Sequence, residues 1–226
     1  MSNINFKLVE KQGEKNIIVD YERLYVIGFA GRNVVKTMEH IKELEDIGIK
    51  GPDKIPTIYC CSNILLTKDE KIEVVGNDSS GEAEYIIVLK DGETYVGLGS
   101  DHTDRSLEVV SIAKSKQVCP KPIAGVLWNY KEVKDHWDEL KLISYQVVDG
   151  KEVIYQNGSV KDILPLEKIL EEVSERCGEL GNSILYSGTV PLLDGFKYGE
   201  LFKCSLVDEK LDRKIELSYK IENVEK

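Results

Sequence analysis

The stretch "EAEYIIVLKDGETYVGLGSD", from Glu82 to Asp101, carries the strongest secondary-structure signal in this 226-residue chain. Two runs rich in β-branched and aromatic residues flank the dipeptide Asp91-Gly92. Asp-Gly suits the tight turn of a two-residue β-hairpin, because both positions of that turn require positive φ angles. The sequence therefore predicts two adjacent antiparallel strands here.

The two-residue turn also fixes which residues of the hairpin face each other. Lys90 then pairs with Glu93, and counting outward from that pair places Glu82 opposite Asp101. Glu84 lies on the same face as Glu82, because side chains repeat every second residue along a strand. The predicted hairpin thus gathers three carboxylates on one face at its open end.

Three carboxylates held this close together need a positive charge to offset their mutual repulsion. Directly opposed Cβ atoms lie roughly 4.5–5.5 Å apart, and like charges at that separation repel. A divalent cation with oxygen ligands would offset the repulsion, and three carboxylates with water suit Mg²⁺, Mn²⁺ or Ca²⁺. The alternative is that all three carboxylates face water, and a shift of one residue in register would break the arrangement.

Outside the hairpin, the sequence reads as further short strands and a few helices. Apolar residues at helical spacing predict one helix that begins after Asn33 and ends at Gly48, and a second over residues 162–178. Strand patterns account for most of the rest, about ten strands in all. We therefore expect a strand-dominated α+β fold.

The chain shows no linker, internal repeat or low-complexity segment. We expect a single domain over residues 1–226, in which the strands and helix of residues 1–53 pack on, or cover, a core formed by residues 54–226.

Composition limits the partners. The net charge is −10, from 40 acidic and 30 basic residues, which argues against nucleic acid or an anionic membrane as a main partner. A small anionic substrate needs only a local positive pocket. The five cysteines form no C-x-x-C pair, and neither a signal peptide nor a membrane-spanning run is evident, so we expect a cytoplasmic protein.

Two motifs of the hairpin resemble those of a known family. "GEAEYIIVL" contains an E-x-E pair, and "GSDHTDRSLE" follows it with an aspartate and an arginine. They resemble the E-x-E and N-D-x-[ST]-x-R motifs of the fumarylacetoacetate hydrolase superfamily, whose two glutamates and one aspartate bind Mg²⁺, Mn²⁺ or Ca²⁺. The resemblance implies Glu82, Glu84 and Asp101 as metal ligands and Arg105 as a substrate-binding residue.

Later segments resemble the same superfamily in the same order. They are "AKSKQVCPKPIA", "DGKEVIYQNGSVKDILPLEKILEEVS" and "GNSILYSGTVP". The likeness extends over roughly residues 54–222 and is closest to an uncharacterised bacterial branch of the superfamily. It implies Lys114 as a catalytic and substrate-binding residue, and the Gly188 amide and Thr189 as substrate-binding groups.

The resemblance also implies a fold and an activity. The fold is a mixed β-sheet roll or sandwich with a few peripheral helices, assembled as a homodimer. The activity is that of a metal-dependent hydrolase or lyase, which cleaves or decarboxylates a C–C bond of an acylpyruvate-like or oxaloacetate-like keto acid. Mg²⁺ or Mn²⁺, with Ca²⁺ as a further option, would chelate the keto oxygens and stabilise an enolate.

The sequence alone does not decide which residue acts as the general base. In the superfamily a His–carboxylate pair on an N-terminal helix often activates water, which nominates His40 with Glu43 or Glu39, although a lone histidine on such a helix is more often ordinary surface. His102, beside a predicted metal ligand, is the alternative. Arg32, just before the helix, either reaches the pocket or is a structural arginine.

Departures from the superfamily pattern keep other functions open. A bare hairpin replaces a longer insert, Ser100 replaces the usual asparagine beside the metal aspartate, and the family's F-x-K-P lysine is absent. A non-catalytic small-molecule-binding or assembly protein on the same fold is therefore one alternative. An isomerase or dehydratase that uses the same metal site is another.

Overall fold

A computed structural model describes residues 2–46 and 51–225, except for the side chains of His40, Glu43 and Leu44. The strands, numbered β1 to β17 in chain order, are Ser2–Glu10, Gly13–Tyr21, Arg23–Gly28, Thr57–Cys61, Leu66–Thr67, Lys71–Val74, Ser79–Ser80, Ala83–Lys90, Glu93–Ser100, Thr103–Asp104, Lys121–Pro122, Val126–Asn129, Lys141–Val148, Lys151–Ser159, Ser183–Tyr186, Leu201–Asp208 and Arg213–Asn223.

The α-helices, α1 to α5, are Val34–Asp46, Arg105–Glu108, Ile112–Gln117, Tyr130–Val133 and Leu166–Cys177. Short 3-10 helices cover Asn63–Leu65, Lys134–Glu139 and Val160–Asp162. None of the helices in the described ranges is both long and apolar enough to cross a bilayer.

The central hairpin has the predicted register. β8 and β9 are antiparallel, with Lys90 opposite Glu93 and Ala83 opposite Ser100. The turn residues Asp91 and Gly92 have φ angles of 51° and 81°, the left-handed values that this type of turn demands. The prediction from the Asp-Gly dipeptide is confirmed.

The hairpin lies in the middle of an eight-stranded mixed sheet, of order β2-β1-β12-β9-β8-β15-β3-β4. The pairs β1–β12 and β15–β3 are parallel. The sheet curls, and the Tyr21 hydroxyl at the end of β2 donates to the Asn63 carbonyl beyond β4 at 3.1 Å. The inner face of the curl buries an apolar core that includes Leu24, Ile86 and Tyr186.

The other face of the hairpin packs on a second sheet, of order β14-β13-β16-β17-β6. Tyr85 and Leu98 from the hairpin share this core with Leu142 and Phe202 from the second sheet. Because side chains alternate along a strand, β8 and β9 contribute to both cores. The predicted strand-dominated α+β roll or sandwich is confirmed, and the hairpin is the element that separates its two cores.

The N-terminal strands are integral to the larger sheet. β1 pairs with β12, and β3 lies between β15 and β4. The expectation that residues 1–53 pack on or cover the core thus differs from the observed placement of β1 to β3, whose pairing partners come from much later in the chain. The single domain stays a prediction.

Both predicted helices are present. α1 begins after Asn33, whose side chain accepts a hydrogen bond from the Lys36 amide at 3.2 Å, as expected of an N-cap. Its predicted end at Gly48 lies outside the described residues. α5 buries Leu166, Ile169 and Val173 along one face.

Candidate metal centre

Three carboxylates meet at the open end of the hairpin. Glu82, Glu84 and Asp101 each offer a carboxylate oxygen within 4.8 Å of those of the other two. The Asp101 amide donates to the Glu82 carbonyl at 3.0 Å, which continues the hairpin pairing past the last ladder pair. Glu84 is 1% exposed and Asp101 is fully buried. The structure therefore brings together the three residues that the sequence nominates as metal ligands.

The two glutamates are held where ionisation is unfavourable. Burial raises the pKa of Glu84 well above its usual value, and the negative charge of Asp101 raises it further. Burial also raises the pKa of Glu82, although the nearby charge of Arg105 opposes the shift. Adding a positive charge at this point would stabilise both carboxylates.

Asp101 differs because two lysines contact it. Lys116 Nζ donates to Asp101 Oδ2, and Lys121 Nζ lies 3.3 Å from Oδ1. Burial alone would raise the pKa of Asp101, but the two ammonium groups outweigh it and hold that pKa at about 2. Asp101 is therefore an ionised carboxylate inside the protein.

Arg105 lies at the cluster, as predicted, with most of its donors already bound. The Asp104 side chain caps α2 by accepting from the Leu107 amide at 2.9 Å, which turns Arg105 inward. Its Nε donates to Ser80 Oγ at 2.8 Å and its Nη1 to Glu108 at 2.9 Å, while Nη2 lies 3.3 Å from Glu82 Oε1.

The Phe196 ring covers the outer face of the Arg105 guanidinium at 4.5 Å. With its edges bound to protein groups and one face stacked on a ring, Arg105 orients Glu82. The substrate-binding role that the resemblance implies for Arg105 stays a prediction.

The lysine at the cluster is two residues later than the one that the sequence nominates. Lys114 is exposed on α3, whereas Lys116 is 5% exposed and contacts Asp101. Helical spacing could have identified Lys116 in the sequence. Lys116 follows Ile112 by four residues and lies on the same face of the helix, whereas Lys114 lies on another side. Sequence analysis also missed Lys121, which is fully buried.

The loop after β15 supports the carboxylates from the other side. The Gly188 amide donates to Glu84 Oε2 at 2.9 Å, so its hydrogen serves a protein carboxylate. Gly188 has a φ of +88°, and a Cβ there would lie 2.9 Å from that of Ala30. Thr189 Oγ1 donates to the Ala83 carbonyl at 2.6 Å and accepts from Gln156 Nε2 at 2.6 Å. Both predicted substrate-binding groups thus bracket the start of β8.

Two other nominated groups are engaged elsewhere. Arg32 forms a two-point ion pair with Asp138, at 2.8 and 2.7 Å, and its Nε donates to the Ile163 carbonyl at 3.1 Å. This arrangement agrees with the structural alternative for Arg32. The side chains of His40 and Glu43 lie outside the described part of the structure, so their predicted role as general base stays a prediction.

His102, the alternative general base, is buried, and both of its ring nitrogens lie beside hydroxyl groups. Its Nδ1 lies 2.9 Å from the Tyr219 hydroxyl and its Nε2 lies 3.0 Å from Ser79 Oγ. Burial lowers its pKa well below the usual value, so the ring is neutral. Tyr219 also bonds Ser100 at 2.8 Å, and this chain ties the end of the hairpin to the second sheet.

A cavity of about 640 Å³ lies between β4, the start of α3 and the end of α5. Glu108 and Tyr59 are among the residues that line it. Glu108 binds Arg105 at 2.9 Å, and the Tyr59 ring lies 5.8 Å from Lys116 Nζ. These two contacts connect the cavity lining to Arg105 and Lys116 at the acidic cluster.

The donor set fits a hard divalent cation. Three converging carboxylate oxygens are the ligands that Mg²⁺, Mn²⁺ and Ca²⁺ prefer. The site is also more acidic than its own cations balance, since Glu82, Glu84, Asp101 and Glu108 face Arg105, Lys116 and Lys121.

Solved structures share this architecture. 5-Carboxymethyl-2-hydroxymuconate delta-isomerase from Mycobacterium smegmatis is 14% identical, with a TM-score of 0.63, and the match covers 98% of this chain and 99% of that one. Fumarylacetoacetate hydrolase from Exiguobacterium antarcticum is 15% identical, with a TM-score of 0.60 over 93% and 81% of the two chains.

A third neighbour is 2-keto-3-deoxy-D-arabinonate dehydratase complexed with magnesium and 2,5-dioxopentanoate. It is 17% identical, with a TM-score of 0.61 over 92% of this chain and 77% of that one. These likenesses define the class: the chain has the fumarylacetoacetate hydrolase fold, as its motifs predicted.

Within that class, the chain belongs to the family described as "Protein of unknown function (DUF2848)", which it matches over residues 27–219. No functionally curated protein matches it in sequence.

Proposed function

We propose that the protein is a metal-dependent enzyme that acts on a small 2-keto acid, as a hydrolase or lyase that breaks a C–C bond. The observation that carries the proposal is the convergence of Glu82, Glu84 and Asp101 within 4.8 Å of one another, next to the buried Lys116. Mg²⁺ or Mn²⁺ is the proposed metal, with Ca²⁺ as a further option.

The neighbours support the substrate class and leave several reactions open. The dehydratase was solved with magnesium and a dioxo acid, and the other two neighbours are an isomerase and a hydrolase. An acylpyruvate or an oxaloacetate-like acid is the proposed substrate. Isomerisation or dehydration on the same metal is the alternative within this class.

The proposed roles follow from the contacts. A divalent cation, when bound, supplies Lewis-acid stabilisation of an enolate. Glu82, Glu84 and Asp101 would hold it, and Arg105 keeps Glu82 in place. Lys116, whose ammonium contacts Asp101, is the cation proposed to meet a substrate carboxylate. His40 with Glu43 is the proposed pair that activates water.

The remaining nominated groups keep smaller proposed roles. Lys114, exposed on α3, would meet the substrate only from outside the cluster, and Thr189 would need to exchange a protein hydrogen bond for one to the substrate. Gly188 would act through Glu84. Arg32 would contribute mainly to the structure, through its ion pair with Asp138, and less to substrate binding.

A non-catalytic ligand-binding or assembly protein is the second candidate. The observation that favours it is that protein cations already contact both oxygens of Asp101, so the chain itself neutralises this carboxylate. In that case the cavity would bind a small anion without turnover.

Calorimetry and turnover assays separate the two candidates. We expect chelator-treated protein to bind Mn²⁺ or Mg²⁺ with one site per chain, and metal-loaded protein to cleave or decarboxylate an acylpyruvate or oxaloacetate. Asp101→Asn should abolish both, while Asp194→Asn, on an exposed loop, should leave both unchanged. Absence of metal binding by the native protein would refute the enzyme proposal, and metal binding without turnover across the panel would favour the second candidate.

Comparing two lysine variants tests the assignment of the substrate carboxylate. Lys116→Met should weaken oxalate binding to metal-loaded protein more than tenfold, and Lys114→Met should weaken it less than twofold. The reverse order would restore Lys114 to the role that the sequence resemblance implies.

The proposal also includes the assembly, the location and the partners of the protein. We propose a cytoplasmic homodimer whose partner is a small anionic keto acid, with neither nucleic acid nor membrane involved. Light scattering after size-exclusion chromatography tests the assembly, and a mass near twice the 25.5 kDa of one chain is expected.

A further inference from the structure

Lys116 differs from the other cations of the cluster in having little to hold it. Its ammonium donates to Asp101 Oδ2, and no other hydrogen bond from it is seen among the described residues. Lys121, by contrast, donates to the carbonyls of His102 at 2.7 Å, Cys119 at 3.1 Å and Lys116 itself. Arg105 is fixed by Ser80 and two glutamates.

A metal held by the three carboxylates would compete with the Lys116 ammonium for Asp101. Lys116 contacts Oδ2 of Asp101 and Lys121 lies 3.3 Å from Oδ1, so both oxygens already face a protein cation. A divalent cation beside an ammonium in a buried site is strongly disfavoured, because the repulsion is poorly screened there.

We infer that Lys116 is an internal counter-ion that the metal displaces. Without metal, its ammonium neutralises Asp101 and reduces the repulsion among the three carboxylates. With a metal held by the carboxylates, Lys116 would leave Asp101 as an ammonium, with its proton, and turn towards the Tyr59 ring. Metal binding would thus both complete the metal centre and present the positive charge that receives an anionic substrate.

The surroundings of Lys116 offer a place for the displaced group. Its Nζ lies 5.8 Å from the Tyr59 ring, and an aromatic face stabilises a cation at about this distance. Tyr59 and Glu108 line the cavity, so the ammonium would move from one carboxylate towards another. The inference rests on the proposed metal site and adds the order of events at it.

Metal affinity measured without substrate tests whether a metal displaces Lys116 from Asp101. Chelator-treated native protein, Lys116→Met and Lys116→Gln are titrated with MnCl₂ in a calorimeter. Both variants should bind Mn²⁺ at least tenfold more tightly than the native protein, since neither carries the competing charge. Lys131→Met removes an exposed lysine that binds Glu93 at the turn end of the hairpin, and its affinity should match that of the native protein.

Thermal melts give a second readout that needs no activity. In chelator, Lys116→Met should melt below the native protein, because the three carboxylates lose a counter-ion. Saturating Mn²⁺ should then raise the melting temperature of Lys116→Met more than it raises that of the native protein. Lys116→Gln keeps a hydrogen-bond donor on Asp101, so it keeps the comparison usable if Lys116→Met does not fold.

The outcomes distinguish the inference from the proposed function. Equal or weaker Mn²⁺ binding by both variants, with binding by the native protein intact, would overturn the counter-ion role and leave the metal site standing. Binding by the variants alone would support the counter-ion role and refute a metal-dependent native enzyme. Absence of binding by all three proteins would refute both.

Discussion

Glu84 is the carboxylate of the cluster that the protein itself neutralises least. Asp101 has two lysines and Glu82 has Arg105, whereas the closest donor to Glu84 is the uncharged amide of Gly188. Its burial and the neighbouring Asp101 both raise its pKa. A positive charge bound beside Glu84 would therefore favour its ionised form.

Glu84→Gln tests whether Glu84 is the least neutralised of the three carboxylates. The amide keeps an oxygen for the Gly188 hydrogen bond and removes a buried charge, so we expect metal-free protein to gain about 1–2 kcal/mol in unfolding free energy. Mn²⁺ affinity should fall at least a hundredfold. Urea unfolding in chelator measures the first effect and calorimetry the second.

The matched control is Glu93→Gln, at the opposite end of the same hairpin, where the carboxylate pairs with exposed Lys131. It should change stability by less than about 0.5 kcal/mol. A destabilised Glu84→Gln with intact metal affinity would contradict the assignment.

The cysteines divide into reactive and protected groups. Cys60 and Cys177 are exposed, while Cys61, Cys119 and Cys204 are buried. Burial raises the pKa of both Cys61 and Cys119 to about 11, and the thiolate is the reactive form.

Iodoacetamide at pH 8 should therefore label two sites in the native protein and all five in urea, as counted by intact mass. Peptide mapping should assign the two native sites to Cys60 and Cys177. Rapid labelling of Cys61 in the native protein would contradict the packing of β4 against the sheet.

At the scale of the element, the β8–β9 hairpin is both a structural wall and the carrier of the site. One turn, Asp91-Gly92, sets the register that brings Glu82 opposite Asp101 at the far end. The second hairpin, β13–β14, has the same turn chemistry, with Asp149 at a φ of 51° and Gly150 at 71°. Local sequence therefore decides both pairings.

Gly92→Ala isolates the contribution of the turn. An alanine at a φ of +81° is strained, although a Cβ there has nothing within 4 Å, so we expect a loss of about 1 kcal/mol in unfolding free energy. Mn²⁺ affinity should not change, because the carboxylates lie at the other end of the hairpin. Chemical denaturation and calorimetry measure the two quantities.

Gly125→Ala provides the control, since its nearest neighbour would be the Lys68 side chain at 3.9 Å and its φ is not in the left-handed region. It should leave stability within about 0.5 kcal/mol of the native value. If Gly92→Ala changed metal affinity while Gly125→Ala did not, the turn would be setting the site through register as well as through stability.

At the scale of the whole molecule, early and late strands are interleaved. β1 is held between β2 and β12, and β3 between β15 and β4. Removing the first strands would expose β12 and β15 edges from within the larger sheet and open the core beneath them. The larger sheet therefore needs strands from both halves of the chain, because β12 and β15 join pairs of strands from the first half.

We accordingly expect one cooperative unfolding transition, which is also what the predicted single domain requires. Far-ultraviolet circular dichroism and the fluorescence of Trp128 and Trp137 should give coincident denaturation curves. Residues 54–226 expressed alone should not fold. A folded, metal-binding 54–226 fragment would show that the N-terminal strands only cover the core.

Sequence alone determined the features that depend on neighbouring residues. The Asp-Gly turn dictated the register of the hairpin, strand alternation placed Glu82 and Glu84 on one face, and motif order indicated the fumarylacetoacetate hydrolase fold. Each of these follows from local geometry or from residues a few positions apart.

Tertiary structure decided the partners of the charged groups. It brought Lys116 instead of Lys114 to Asp101, added the buried Lys121, and paired Arg32 with Asp138. It also directed the Gly188 amide to Glu84. These contacts join residues from separate elements, and a charged side chain takes the nearest partner that packing leaves in reach, which only the folded chain defines.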